Sequence, residues 1–315
     1  MTFAVIFPGQ GSQQTGMLKE LSDVHSVVGE VFAEASDVFG QDLWSLAQTG
    51  PDEALADTRV TQPLMFTSGV AVWRALQAAG LPNPAAVAGH SLGEFAALVA
   101  ADVLSFTDGC TVVKRRAELM ASAIPDGQGG MAALIGLEDA DVETLCSDMK
   151  ESLVLEAVNF NAPGQVAISG HLEAIEKAVV EAKARGARKA VVLPVSVPNH
   201  SSLMKDAGAQ LAETIDSVSF NAPTFPVVQN ADAVAAKDLD ALTASLKEHV
   251  YNPVQWTRSV QTLRDQYGVQ TLLESGPGKV LTGLSKRIDR GLPCMPVNSA
   301  DTLIAAMGAI SPEGA

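Results

Sequence analysis

The sequence predicts an α/β protein in which a small unit with the order βαββαβ interrupts a larger strand-helix alternation. Three observations carry this. The apolar run at 3–7, ended by Pro8-Gly9, reads as a buried strand running into a glycine-rich loop. The pentapeptide Gly89-His90-Ser91-Leu92-Gly93 is a G-x-S-x-G lying between an apolar strand and a helical stretch. From Gly127 the pattern changes, and up to Pro198 strands and helices follow in the order of a ferredoxin-like unit.

Taken in order, a helix is expected over 24–38 after the first strand. A second, over 61–79, places Leu64, Val72, Leu76 and Ala79 on one stripe and stops at Gly80 and Pro82. A strand at 85–88 leads into the pentapeptide, and a helix over 94–101 leaves it. The small unit reads as strand 131–137, helix 139–150, strand 153–160, the turn Asn161-Ala162-Pro163-Gly164, strand 165–169, helix 173–184 and strand 189–195. The alternation then resumes with a strand at 227–228, helices over 239–248 and 253–267, and a strand at 269–273. The expected division is therefore 1–126 with 199–315 as the large domain and 127–198 as the insert.

Composition narrows the class of function. The 315 residues are 47% hydrophobic and 18% charged, the balance of a compact globule with ample core. No run approaches the roughly 18 apolar residues of a membrane span, and the start lacks a basic signal region, so a cytoplasmic protein is expected. A net charge of -15 argues against nucleic acid or an anionic membrane as partner, so any anion site must be local. Cys110, Cys146 and Cys294 are odd in number and far apart, which suits neither a disulfide framework nor a CxxC metal site.

Ser91 is the candidate nucleophile. In a G-x-S-x-G turn the neighbours must be small because strand and helix backbones pass close by, and the serine is pushed out at a helix N-terminus beside N–H donors. Its base should follow it in the chain, which leaves His171, His200 and His249. His171 lies in a strand-to-helix turn, and His249 ends a predicted helix, where a cation is electrostatically welcome. His200 follows Val195-Ser196-Val197-Pro198-Asn199, where the chain re-enters the large domain, and it is the expected general base. His90 is expected to be structural. No Asp or Glu stands in an evident position to orient His200, and its Nδ1 acceptor is left open between an acid and a backbone carbonyl.

Arg116 is the candidate anion-binding residue. Its helical neighbours Val112, Val113, Leu119 and Met120 are apolar, whereas Arg115 neighbours Thr111 and Glu118, so Arg116 faces inward. A buried guanidinium needs a partner, either a protein acid in an ion pair or a substrate carboxylate held by its planar fork. Two other motifs fail. Gly9-Gln10-Gly11 lacks the third glycine of a dinucleotide loop, and Gly276-Pro277-Gly278-Lys279 lacks the first glycine and the Ser or Thr of a phosphate loop.

With these residues assembled, the chain resembles the bacterial malonyl-CoA:acyl carrier protein transacylases nearly end to end. The resemblance rests on Phe7-Pro8-Gly9-Gln10-Gly11-Ser12-Gln13, Thr61-Gln62-Pro63, Gly89-His90-Ser91-Leu92-Gly93-Glu94, Arg116 and Asn159-Phe160-Asn161-Ala162-Pro163-Gly164-Gln165. It also includes Val195-Ser196-Val197-Pro198-Asn199-His200, Tyr251-Asn252-Pro253-Val254-Gln255-Trp256 and Gly276-Pro277-Gly278-Lys279. It implies an α/β-hydrolase-like large domain with a ferredoxin-like insert, Ser91 as the acylated nucleophile and His200 as its base. Backbone N–H groups of Gln10 and Leu92 would form the oxyanion hole. Arg116 would clamp the malonyl carboxylate, with Gln62 and Asn161 as polar contacts.

The resemblance further implies that a main-chain carbonyl orients the histidine. It comes from a position where glutamine is usual and this chain has His249, a second imidazole that could alter the pH response. The implied chemistry is a ping-pong malonyl transfer from malonyl-CoA to acyl carrier protein for fatty acid synthesis, without metal or redox cofactor, by a monomer. Acidic carriers would need a basic dock, for which Lys183, Arg185, Arg188 and Lys189 are one candidate cluster and Lys279, Lys286, Arg287 and Arg290 another. The competing readings are a serine esterase, a noncatalytic docking subunit and a free-standing malonyl loader of polyketide synthesis.

Overall fold

A computed structural model of the chain describes residues 1–310. Its strands are β1 (Phe3–Phe7), β2 (Ala86–Gly89), β3 (Gly129–Ile135), β4 (Leu155–Ala162), β5 (Gln165–His171), β6 (Lys189–Val192), β7 (Val227–Val228), β8 (Thr271–Ser275) and β9 (Cys294–Val297). They form two sheets. The larger has the order β7-β2-β1-β8-β9, and every neighbouring pair in it is parallel. β1, β2, β7 and β8 are buried throughout, as parallel strands covered by helices must be, which is why they read as apolar runs. The helix Thr58–Ala78 is buried over most of its length between the sheet and the helices Ser26–Phe39 and Phe106–Ala121.

The smaller sheet has the order β4-β5-β3-β6 and is antiparallel throughout. Alternation along β3 sorts its faces. Ala132 and Leu134 pack with the helices Asp139–Met149 and Leu172–Ala184, whereas Met131 turns the other way and packs with Val158 and Ala167. That second face looks onto the large sheet.

The differences from the sequence reading have local causes. The expected helix 24–38 is two, Lys19–Val24 and Ser26–Phe39, because His25 is extended at φ -121°. The turn expected at 161–164 is only Pro163-Gly164, since β4 continues through Ala162. Ala162 still pairs with Gln165 of β5, and just before it β4 has a second partner: Phe160 N–H donates to the Val254 carbonyl at 2.9 Å, and Val254 N–H to Val158 at 2.7 Å. The same bonds keep Val254 out of the following helix, which starts at Trp256 rather than 253. β6 ends at Val192, before Pro194, which has no N–H to continue a ladder. β9 and the helices Leu43–Thr49, Asp52–Ala56, Lys205–Ser217 and Ala300–Ile310 had no counterpart in the reading.

Candidate active site

The pentapeptide makes a sharp turn at the C-terminal end of β2. Ser91 takes φ 51°, and the helix Gly93–Ala100 begins two residues later. The glycines are there because backbones touch. A Cβ on Gly89 would lie 1.9 Å from the carbonyl carbon of Gly93, and one on Gly93 would lie 2.1 Å from the Phe7 carbonyl oxygen. A third strand-end loop closes in as well, since a Cβ on Gly9 would meet the His90 carbonyl oxygen at 2.6 Å. Ser91 is thus presented at a helix N-terminus against the loop that follows β1.

His200 comes to meet it from the return segment after β6. It too is left-handed, at φ 65°, and is buried. Its Nε2 lies 2.7 Å from Ser91 Oγ, and its Nδ1 lies 3.1 Å from the His249 carbonyl and 3.0 Å from the Asn252 carbonyl. Two carbonyls at Nδ1 can only accept, so the proton sits there and Nε2 is the acceptor facing the hydroxyl. Backbone, not an acid, orients the ring. Burial, helped by the nearby Arg116 charge, pushes the His200 pKa down to about 3, so the imidazole is neutral near pH 7. A hydroxyl bonded to such an imidazole can lose its proton as the oxygen attacks a carbonyl carbon.

Arg116 lies on the inward face of the helix Phe106–Ala121 and is only 1% exposed. Its Nη1 donates to Gln62 Oε1 at 2.5 Å and its Nη2 to Ser91 Oγ at 3.2 Å, while Nε has no partner. Gln62 Nε2 donates to Thr58, which turns the Gln62 oxygen toward the guanidinium. Among the described residues no carboxylate comes within ion-pair distance of Arg116, whereas Arg115 pairs with Glu118 on the surface. Burial pushes the Arg116 pKa down to about 9, which leaves it charged at neutral pH, and Glu94 opposes the shift.

The space in front of Ser91 is a cleft of about 260 Å³ between the two sheets, with Gln10, His90 and His200 on one side and Met131, Ala133 and Asn161 on the other. Asn161 Oδ1 lies 2.7 Å from His90 Nε2, and the His90 ring stands against Trp256, which suits the structural role expected of His90. Gln10 is tied back by its side chain to Thr58. The backbone N–H groups of Gln10 and Leu92 donate to no acceptor among the described residues, whereas Ser91 N–H donates to Asn230. Residues 4–286 match the family model of the acyl transferase domain.

The chain belongs to the acyl transferase family. It is 50% identical over 305 residues to the malonyl CoA-acyl carrier protein transacylase of Salmonella typhimurium, covering 97% of this chain and 98% of that one. The Escherichia coli K12 protein of the same name is 49% identical over the same shares. Among solved structures, an acyl carrier protein S-malonyltransferase of Vibrio cholerae superposes with TM-score 0.94 at 48% identity, over 97% of this chain and all (100%) of that one. A malonyl-transacylase in complex with its type II polyketide acyl-carrier protein superposes with TM-score 0.96 at 45% identity, over 98% and 100%.

One expectation about this acyl transferase needs correction. His249 caps the helix Leu239–Glu248, but not as a cation. Its ring is buried against His200 and Phe95 at 5.6 and 5.3 Å, and burial first, then the Arg116 charge, holds its pKa well below the ordinary value. Gln62 contacts the guanidinium, and both lie just behind the residues that line the cleft, Arg116 reaching the Ser91 hydroxyl. The thiols of Cys110 and Cys146 are pushed up to about 12 by burial, which leaves them inert.

Sequence reasoning missed the residues behind the elbow. Glu94 is buried, and its carboxylate accepts from Asn230 N–H at 2.9 Å, from Asn230 Nδ2, and from Gln229 Nε2 at 3.4 Å. Its pKa is pushed up to about 7 by desolvation. The available signal was a lone acid in the apolar stretch after Ser91, and two amides just past the end of β7, where open parallel sheets place their sites.

Proposed function

We propose that this acyl transferase moves a malonyl group from malonyl-CoA to the pantetheine thiol of acyl carrier protein, through a malonyl ester on Ser91, to supply fatty acid synthesis. The observation that carries this reading is Arg116, a buried guanidinium placed beside the Ser91 hydroxyl with no carboxylate within ion-pair distance among the described residues. Such a charge suits an acyl group that brings a carboxylate of its own.

In the first half, Ser91 Oγ bonds to the thioester carbonyl carbon and its proton passes to His200 Nε2. The oxyanion faces the Gln10 and Leu92 amides, which donate to no acceptor among the described residues. Collapse breaks the carbon-sulfur bond, and the departing thiolate takes the proton from His200. In the second half the carrier's thiol gives its proton to His200, its sulfur attacks the ester carbonyl, and Ser91 leaves with the proton restored. Arg116 holds the malonyl carboxylate throughout, Gln62 holds Arg116, and Asn161 offers its amide to the cleft. The His249 carbonyl keeps the His200 ring aimed. This chemistry requires no metal or redox cofactor.

The finer fold reading follows the same lines. The elbow after a parallel strand supports an α/β-hydrolase-like large domain formed by 1–126 and 199–315. The order β4-β5-β3-β6 with two helices on one face supports a ferredoxin-like insert at 127–198. No described helix is long and apolar enough to cross a membrane, and we place the reaction in the cytoplasm, carried out by a monomer. The carrier would dock where Arg188 stands with Lys286, Arg287 and Arg290 around one surface hollow. Arg185, by contrast, is neutralised by Asp148 and Glu181. The likeness to a polyketide malonyl-transacylase supports a second reading, in which the carrier belongs to polyketide synthesis.

Intact mass after mixing with malonyl-CoA tests the proposal. A malonyl adduct present in the wild type, absent in Ser91→Ala and transferred to a carrier bearing its pantetheine is the expected result. Steady hydrolysis without transfer would favour the esterase reading, and no reaction would favour a docking subunit. Comparing fatty acid and polyketide carriers separates the two transfer readings.

A further inference from the structure

β7 is two residues long, and it pairs with β2 only at Val87 with Val227 and Ala88 with Val228. Where the next ladder bonds would fall, the side chain of Asn230 takes over. Its Nδ2 donates to the Gly89 carbonyl at 2.6 Å and its Oδ1 accepts Ser91 N–H at 2.7 Å. One side-chain amide therefore grips the backbone on both sides of His90, at the point where the chain enters the left-handed conformation of Ser91. A non-glycine residue held there is strained and persists only when its surroundings fix it.

The direction of that amide is itself fixed. Glu94 accepts from both Asn230 N–H and Asn230 Nδ2, and its other oxygen accepts from Gln229, so the amide nitrogen must face the acid and the amide oxygen must face Ser91. Asn230 is 4% exposed and Glu94 1%, so water does not substitute for these bonds. The consequence reaches the cleft. Ser91 N–H is occupied, and of the two amides at the turn only that of Leu92 lacks an acceptor among the described residues.

We propose that Asn230, oriented by Glu94, is a positioning residue for Ser91: it fixes the turn that aims Oγ at His200 and leaves the Leu92 N–H as the elbow's free donor. Asn230 touches no substrate. Its effect is on the rate at which Ser91 is acylated, not on how tightly malonyl-CoA binds. The inference rests on the reading of Ser91 as the acylated residue.

The test is single-turnover acylation of Asn230→Ala and Asn230→Asp by malonyl-CoA, followed by intact mass over a range of concentrations. Alanine removes both bonds, and aspartate keeps the shape but lacks the N–H that faces Gly89 and Glu94. Misaiming the nucleophile by an ångström costs on the order of 100-fold, so the acylation rate at saturation should fall roughly 10- to 100-fold. The adduct should still reach one per chain, with the half-saturating concentration unchanged. A rate within twofold of wild type, or a fall in adduct amount at an unchanged rate, overturns the proposal, because a merely structural residue changes only the folded fraction. If neither variant folds, Glu94→Gln carries the same test, with the same sign expected and a smaller fall. Failure of the wild type to form a Ser91 adduct would instead overturn the functional reading.

Discussion

Arg116 holds its Nη2 3.2 Å from the Ser91 hydroxyl, and among the described residues no carboxylate comes within ion-pair distance of it, Glu94 acting only from farther off. A binding pocket built to pair with an acid is left with an unpaired buried charge when that acid is missing, which is how such sites discriminate. In Arg116→Ala the loss should fall on the carboxylate-bearing substrate. Removing one partner of a buried charge pair costs about 2 to 5 kcal/mol, so kcat/KM for malonyl-CoA should drop roughly 30- to 5,000-fold. Acetyl-CoA, which has nothing for the fork to hold, should lose far less, so the malonyl-to-acetyl preference collapses. A lysine at the same place should not restore it, since a point charge cannot make the bidentate contact. An unchanged preference in Arg116→Ala would mean that the carboxylate is held elsewhere.

A second expectation concerns acid. His200 is neutral because it is buried and lies near Arg116, with a pKa pushed down to about 3. The base should therefore stay competent well below the ordinary histidine range. Acylation of Ser91 by malonyl-CoA in Glu94→Gln, which removes the acid whose own pKa is raised to about 7, followed by rapid mixing, should be nearly flat from pH 8 to pH 5. A fall with a midpoint near 6.5 would show that the imidazole titrates as if solvated.

The chemistry was more legible than its support. Ser91 announces itself because its requirement is local: Gly89 and Gly93 are needed where backbones touch, and they stand within two residues of it. Arg116 could be read from helical period, and His200 from its place after a strand. Asn230 and Glu94 could not, because they meet through the neighbouring of β7 and β2, across 136 positions of sequence. A strand of two residues gives no periodic signal. β9 was hidden by Pro296, which an edge strand tolerates and which argues against a strand when read alone. The turn signal around Pro163 was real, but it could not tell that Ala162 would pair with Gln165 and so keep β4 extended up to Pro163.

His249 makes a stability prediction with a definite sign. Its folded pKa lies below that of the unfolded chain, first because it is buried and then because of the Arg116 charge. Below about pH 6.5 the unfolded chain binds a proton at this residue that the folded chain refuses, so folding loses stability as pH falls. Glu94, 3.7 Å from its Nε2, works the other way: its pKa is raised to about 7, so the folded chain holds a proton there between about pH 4.5 and 7. Comparing His249→Gln with wild type cancels Glu94 to first order. The variant should gain on wild type by about 1.4 kcal/mol per unit as pH drops below 6.5. Denaturant titrations at pH 8 and pH 5.5 check it. A difference independent of pH would mean that the imidazole is protonated in the folded chain.

The elbow makes a prediction in which one chemical change has opposite signs at two places. Gly89→Ala puts a methyl group 1.9 Å from the Gly93 carbonyl carbon, and the atoms it meets are all backbone of the Gly93–Glu94 peptide, which leaves nothing flexible to yield. Overpacking of a rigid site costs about 3 kcal/mol or more, and here the strain falls on the turn that holds Ser91. The variant should therefore be less stable, and its folded fraction should acylate slowly. Gly29 is the fourth residue of the helix Ser26–Phe39, and a Cβ there meets nothing within 4 Å. Alanine should stabilise that helix by about 0.5 to 1 kcal/mol by restricting the unfolded chain. Denaturation midpoints of the two variants, read beside their acylation rates, decide the matter. If Gly89→Ala matched Gly29→Ala in both, the contact between β2 and the following helix would not be as close as the geometry makes it, and the conformation of Ser91 would lose its cause.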